Sequence, residues 1–425
     1  MLDRTIQPEI HEIPFPSILP IEKRVLSNGA ELYILRGGTQ EIVSLDIITK
    51  SGVLYSDAAG VARAASSLLG EGAGSFTSKD IANKFDFYGI NVSGSTSLTT
   101  SELSIVGLTR YMDKCLDEVE AMIKQPLFPQ QELDLYKERL KHKYMLMQKK
   151  TKSRAAQIGR KMLYAPDCRY SRSISFEIID SMSRDMLADF HAKTYHSEGA
   201  KIFVSGQPDD RLLTRIEEIF GDTWERKEPI DIDLCPKYND EVKTYFDNVD
   251  DAPQNSIYMT TKMPTIGHPD SMVLDVLNVI FGGYFGSRLM ANIREEKGLT
   301  YGIGSAYNIN RLHAEHIIAT NVNIDMYETV IDEIWKEMKR LCTEPVPQEE
   351  LDVVKSYMRG SYLQRFDSVL AQGEAYKSLF LNGYDMELYR RQYEVLNNVT
   401  PEELLQMAQK YYKRENYHVI ISGKK

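Results

Sequence analysis

The sequence has only two tryptophans and four cysteines, and no apolar run approaches the length of a bilayer crossing. A membrane helix needs about 20 predominantly apolar residues, so no membrane span is expected. Cys115, Cys168, Cys235 and Cys342 lie far apart, with no pair at zinc-finger or C-x-x-C spacing. That argues against a zinc ribbon or a C-x-x-C redox motif, and a reducing compartment is the simpler expectation. Basic residues are in deficit, 51 Lys and Arg against 61 Asp and Glu, for a net charge of −10. Such a chain is poorly suited to non-specific nucleic-acid binding. The opening segment MLDRTIQPEIHEIPFPSILP lacks the charged, apolar, then small order of a secretory leader. No signal peptide, and hence a cytoplasmic location, is expected. G-x-S-x-G and Walker-type motifs are absent as well.

The remaining composition is that of a globular protein. Hydrophobic residues make up 42% and charged residues 26%, which rules out global disorder. At 425 residues, two or three domains fit the length. An internal repeat decides between them. MDKCLDEVEAMIKQPLFPQQELDLYKERL, from Met112, resembles MYETVIDEIWKEMKRLCTEPVPQEELDVVKSYM, from Met326, with Pro129 matching Pro347. SMSRDMLADFHAKTYHSEGAKIFVSG, from Ser181, resembles NNVTPEELLQMAQKYYKRENYHVIISG, from Asn398, with Gly206 matching Gly423. Two separate blocks in the same order and at nearly the same offset mean two copies of one domain. Residues 224–251, with two prolines and many acids, read as a linker or crossing arm. The expected organisation is therefore a first domain over 1–223, the linker 224–251, and a second domain over 252–425.

Each copy mixes strands with helices. Asn28-Gly29 between two short alternating runs predicts a hairpin. EIVSLDIIT reads as a strand, and NVSGSTS with TSELSIVGL as an antiparallel pair. GVARAASSLLGEG and SKDIANKFDFYG carry helical spacing and stop at glycine. Strands and helices do not alternate strictly, so the fold class is α+β: two homologous domains, each a mainly antiparallel sheet packed against helices.

The stretch HPDSMVLDVLNVIFGGYFGSRLMANIREEKGLTYGIGSAYNI, from His268, carries the candidate chemistry. It reads as a helix through Leu274, Leu277 and Phe281, a glycine-rich turn (Gly282, Gly283, Gly286), and a second helix capped by Gly298. A strand then begins near Tyr301. One tight turn between helix end and strand start can bring Arg294 and Tyr301 together. A guanidinium fork and a phenol suit holding a peptide carbonyl and stabilising the oxyanion formed on attack. The same residues also suit a plain surface ion pair with Glu295 and a half-buried strand tyrosine.

This stretch resembles the second-domain signature of the pitrilysin-type (M16) metallopeptidases, the group that includes insulin-degrading enzyme and the mitochondrial processing peptidases. In that family an Arg and a Tyr seven residues apart, around a G-L-x-Y core, contact substrate near the zinc. Arg294, Gly298-Leu299 and Tyr301 have that spacing. The family's zinc helix carries H-x-x-E-H, two histidine ligands and a glutamate base. The corresponding stretch here, from Gly60 to Leu69, has Arg63 and Ser67 in the histidine positions and Ser66 in the glutamate position. The third ligand, a glutamate on a later helix, falls nearest Lys143 and Tyr144. None of these residues can form a neutral-imidazole zinc site.

Other ligand pairs are weak. Glu138 and His142 share a helix face without a third ligand. His313-Ala314-Glu315-His316 has the wrong order for a zinc motif and is expected to be an exposed strand. The resemblance therefore implies a chain that binds no cofactor itself. It would be a non-catalytic subunit whose related partner carries H-x-x-E-H and zinc, with Arg294 and Tyr301 serving catalysis and Gly282, Gly283 and Gly286 near the peptide. The alternative is an inactive peptide-binding or structural homodimer of the same fold.

Overall fold

The Asn28-Gly29 turn joins strand β1 (Glu22–Val25) to its antiparallel neighbour β2 (Glu31–Arg36). In the computed structural model, which describes Thr5 and residues 13–425, these strands open a six-stranded sheet. Its other members are β3 (Ile42–Thr49), β4 (Asn91–Thr96), β5 (Ser101–Leu108) and β6 (Lys201–Gly206), in the order β1-β2-β6-β3-β5-β4. A second sheet comprises β7 (Thr244–Asn248), β8 (Asn255–Lys262), β9 (Thr300–Ile309), β10 (Ala314–Val322) and β11 (His418–Gly423), in the order β7-β11-β8-β10-β9. Only β2/β6 and β7/β11 are parallel. Each parallel pair needs a long crossover, and the helices supply it. The α+β class with two mainly antiparallel sheets is thus what forms.

The duplication reaches single hydrogen bonds. Gln130 donates to Asp134 at 2.9 Å, and 218 positions on Gln348 donates to Asp352 at 2.9 Å. Ser183 and Thr400 cap corresponding helices, accepting from the amides of Met186 and Glu403. Leu133 and Leu351 are both fully buried. Each half has its own core. Leu45, Ile47, Ile105 and Phe128 lie in the first, and Ile257, Ile280, Phe281 and Ile318 in the second.

The halves also exchange helices. Thr151–Leu163 packs on β8 and β11 of the second sheet, while Val369–Leu381 packs on β6 and β2 of the first. Glycine permits both close approaches: a Cβ at Gly159 would stand 2.5 Å from the Tyr258 ring, and one at Gly373 would stand 2.2 Å from Ser205 Oγ. Ion pairs fix the crossings. Arg154 grips Asp247 with two bonds of 2.6 and 2.7 Å.

Two stretches differ from the plain sequence reading. β10 is not an exposed strand. It lies between β8 and β9, and His316 is buried, stacked on Tyr412 with ring centroids 5.1 Å apart. The β-branched run that follows His316 suits a central strand, and that outweighs the polar start of the segment. Within residues 224–251, the chain forms β7 and joins the second sheet beside β11. Among the described residues, no helix is long and apolar enough to cross a membrane.

Candidate functional site

The helix Ser271–Asn278 runs on through a wide π-type turn, Val279–Gly283. After a short loop, a second wide-turned stretch, Met290–Glu296, carries Arg294. Gly298 closes it at φ +62°, a left-handed position that favours glycine, and the Gly298 and Leu299 amides donate to the carbonyls of Arg294 and Ile293. β9 starts one residue before Tyr301. The Arg294 guanidinium carbon therefore lies 5.6 Å from the centre of the Tyr301 ring. It lies closer still, 4.6 Å, to the ring of Phe285. Tyr301 is 92% exposed and Phe285 65%. Among the described residues Arg294 has no carboxylate partner, so its fork of donors is held by aromatic faces and left free at its edge.

Sequence reading missed Phe285. The signal was present, an aromatic next to a glycine in a turn, but nothing showed which way it would point. The turn sorts its residues. Tyr284 packs on Tyr357 of the Gln348–Arg365 helix at 5.0 Å, while Phe285 reaches Arg294. Gly282 is buried, and a Cβ there would stand 2.6 Å from Ser305 Oγ; Gly283 and Gly286 are exposed. Beneath the turn lies a polar network. Ser305 donates to Asn278 at 2.7 Å, and the His316 ring bridges Asn278 and the Tyr417 hydroxyl at 3.1 and 2.7 Å. Burial pushes the His316 ring down to about 3, so it is neutral.

On the short helix Val61–Ser67, Arg63 and Ser67 are exposed and Ser66 is buried. Ser66 lies under Gly94 of edge strand β4 and faces the buried phenol of Tyr195. The later-helix residue that meets Ser67 is Tyr136, not Lys143 or Tyr144. Burial raises the Tyr136 phenol, while the Ser67 hydroxyl and the charges of Arg63 and Arg139 oppose that rise. The Tyr144 ring instead packs edge-on against Phe176 at 5.0 Å. Two guanidinium groups, two hydroxyls and a phenol offer no neutral imidazole and no carboxylate, and the fixed positive charge repels a divalent ion. Zinc does not fit here.

Among the described residues, one group of three carboxylates stands close enough to share an ion: Asp46, Glu102 and Glu374. A lysine already fills it. Lys377 Nζ lies 3.2 Å from Asp46, 2.6 Å from Glu102 and 2.5 Å from Glu374. Burial opposes the ammonium, yet Asp46 and the other acids hold the Lys377 pKa above its ordinary value. This is a structural ion cluster across the helix exchange. Its one hint in the sequence was Asp46 inside an otherwise apolar strand, a charge that needs a partner when buried. Glu138 pairs with Lys141 at 3.2 Å, and His142 is exposed.

The two duplicated sheets, their crossed helices and the Arg–Tyr edge define an M16-type peptidase fold. A protein from Pseudomonas fluorescens described as a peptidase M16 inactive domain superposes with a TM-score of 0.82 at 19% identity, covering 96% of this chain and 99% of that one. A protease from Helicobacter pylori superposes with a TM-score of 0.87 at 15% identity, covering 96% of this chain and all of that one. In sequence, residues 181–358 match the family model described as the peptidase M16 inactive domain. A Bacillus subtilis protein called uncharacterized zinc protease YmxG is 21% identical over 351 residues, 82% of this chain and 85% of its own length. A Helicobacter pylori protein called non-peptidase homolog YmxG is 21% identical over 324 residues, 73% of this chain and 72% of its own length. Residues 181–358 thus carry the M16 likeness at the level of a family model, and the chain as a whole is similar in sequence and fold to M16 homologues.

Proposed function

We propose that this chain is the non-catalytic subunit of a two-chain M16-type metallopeptidase, and that it binds peptide together with a related partner carrying H-x-x-E-H. One observation carries the reading: Arg294 is an unpaired guanidinium set against Tyr301 and Phe285 at an exposed sheet edge. Glu295 and Glu296 lie close by in sequence, yet among the described residues neither pairs with Arg294, so its donors stay available to a ligand. In this reading the metal and the general base belong to the partner. Arg294 and Tyr301 donate to the carbonyl oxygen of the bound peptide, and their bonds strengthen as that oxygen gains charge. Losing one such donor typically costs about 100- to 1,000-fold in rate. Gly283 and Gly286 border this edge and keep it open to an extended chain. We divide the chain at 224–251, so that 1–223 presents the degenerate zinc helix and 252–425 the Arg–Tyr edge.

A second reading, an inactive peptide-binding or structural homodimer, draws support from the family description as an inactive domain and from a relative named a non-peptidase homolog. Co-expression with an M16 chain bearing intact H-x-x-E-H, from the same source, separates the two. The first reading expects peptide hydrolysis by the mixture, by neither variant mixture (Arg294→Ala or Tyr301→Phe) at more than a few per cent of that rate, and by neither chain alone. Turnover unchanged by both substitutions would remove Arg294 and Tyr301 from the mechanism.

A further inference from the structure

The 20-residue helix Gln130–Lys149 has Leu133 as its one fully buried residue. Its repeat counterpart, Gln348–Arg365, buries Leu351, Val354, Lys355 and Met358. The two helices differ in charge as well. In the counterpart, Lys355 donates to the Asn397 and Val399 carbonyls, Arg359 donates to the Asn397 side chain, and Arg365 lies over two tyrosine rings. In Gln130–Lys149, Lys137 and Lys141 are similarly engaged around Asp180. Arg139, Lys143 and Lys149, followed by Lys150 and Lys152, have no acidic partner and no hydrogen-bond acceptor among the described residues.

Tyr136, Arg139, Lys143 and Leu146 recur at intervals of three and four, so they share one face of the helix, and Lys150 follows directly at its C-terminal end. Met145, Leu146 and Met147 are exposed beside them, as is Phe176. At the Tyr136 end, Arg63 adds a further unpaired cation. Residues 137–152 thus hold seven Lys and Arg against the single acid Glu138, in a chain whose net charge is −10.

We propose that this face is a docking surface for an acidic peptide segment, one whose carboxylates alternate with apolar side chains. Like charges along one helix repel until counter-charge arrives, and the acids that reach this helix, Glu138 and Asp180, both pair with Lys141 and leave Arg139 and Lys143 uncompensated among the described residues. Flexible thioethers among the cations suit apolar side chains of varied shape. The exposed Met145, Leu146 and Met147 between the cations favour an acidic peptide, which brings apolar side chains, over a nucleic acid, whose backbone brings none. The proposal takes peptide as the ligand class from the reading above but uses none of its residues, so either can fail without the other.

The test is fluorescence anisotropy on the full chain with a fluorescein-labelled 16-residue peptide of Glu, Leu and Ala, glutamates placed every third or fourth residue. Companion probes carry Gln or Lys in place of Glu, and a further arm uses vesicles of phosphatidylcholine with phosphatidylglycerol. We expect the acidic peptide to bind and the Gln and Lys peptides to bind at least roughly tenfold more weakly, with affinity falling as salt rises. The variant Arg139→Gln/Lys143→Gln/Lys150→Gln should lose a similar factor and flatten the salt dependence, while Lys413→Gln, an exposed lysine of the second half, binds as the parent does. Circular dichroism checks the fold. If the triple variant unfolds, Arg139→Gln and Lys143→Gln singly should show the same loss in smaller steps. Equal binding of the Glu and Gln peptides, parental affinity in the triple variant, or an equal loss of binding in Lys413→Gln would overturn the proposal. So would vesicle binding without peptide binding, which would make the face a membrane contact.

Discussion

Lys137 and Lys355, 218 positions apart, perform the same task in the two halves. The first donates to the carbonyls of Asp180 and Met182, at 2.7 and 3.0 Å; the second donates to those of Asn397 and Val399, at 3.0 and 2.8 Å. Each ammonium ties a long helix to the carbonyls at the end of the second helix after it, Phe176–Ser181 or Met386–Asn398, just ahead of a capped one. Lys355 is buried and Lys137 is not. Truncating either to Met should cost about 1–3 kcal/mol, with Lys355→Met the costlier because the orphaned carbonyls lie deeper. The two sites share no partners, so their effects should add within about 0.5 kcal/mol. Urea unfolding of the two single variants and the double variant checks both claims.

The Lys377 cluster predicts a larger effect. The ammonium compensates three carboxylates, and Asp46 is fully within the fold. Lys377→Met leaves buried charge unpaired and should destabilise by about 3–5 kcal/mol. Adding Asp46→Asn removes one of those charges and should restore part of the loss. Denaturant midpoints of the two variants against the parent measure this, and a double variant no more stable than the single would show that the charge balance is not what holds the helix exchange.

His316 should make stability depend on pH. Its ring is neutral in the fold, with its pKa pressed down to about 3 by burial, and it charges near 6.5 once exposed. Between those values the unfolded state binds the extra proton. Its contribution is therefore complete above about pH 6.5 and is lost as pH falls toward 3, by about 1.4 kcal/mol per pH unit. His316→Gln should be less stable at pH 7 yet flatter between pH 6.5 and 4. Unfolding free energies at three pH values in that window give the slope directly.

Phe285 should matter through Arg294. An exposed cation–ring contact contributes about 0.5–1 kcal/mol. In the reconstituted peptidase assay, Phe285→Leu should therefore lose a few-fold, far less than Arg294→Ala, and Phe285→Trp should retain activity. Equal losses for Phe285→Leu and Phe285→Trp would point to a shape requirement and not to the ring face.

Much of this architecture could be read from the residues. The repeat stands out because its two long helices start at Pro129 and Pro347, and because a strand ending in Ser-Gly closes each half. The Arg294–Tyr301 pairing followed from a glycine cap set between a helix and a strand. What stayed hidden depends on contacts distant in sequence. The helix exchange places Lys377 beside Asp46 and Arg154 beside Asp247, and no local pattern reveals a partner 331 or 93 positions away. The expectation of an exposed strand at His313–His316 failed for the same reason, since a strand's place in the order of its sheet is set by its neighbours. The helix that the resemblance aligns with the zinc motif carries Arg63, Ser66 and Ser67, but the tyrosine that meets Ser67, Tyr136, lies about two helical turns before the positions inferred for a third ligand.

The most direct test of the central claim is the metal content and peptidase activity of the isolated chain after purification in zinc-containing buffer and exhaustive dialysis. With Arg63, Ser66 and Ser67 where ligands and base would stand, the account predicts far less than one zinc per chain and no hydrolysis of a casein-derived peptide mixture until an H-x-x-E-H partner is added. One tightly held zinc per chain, together with cleavage by this polypeptide alone, would contradict it.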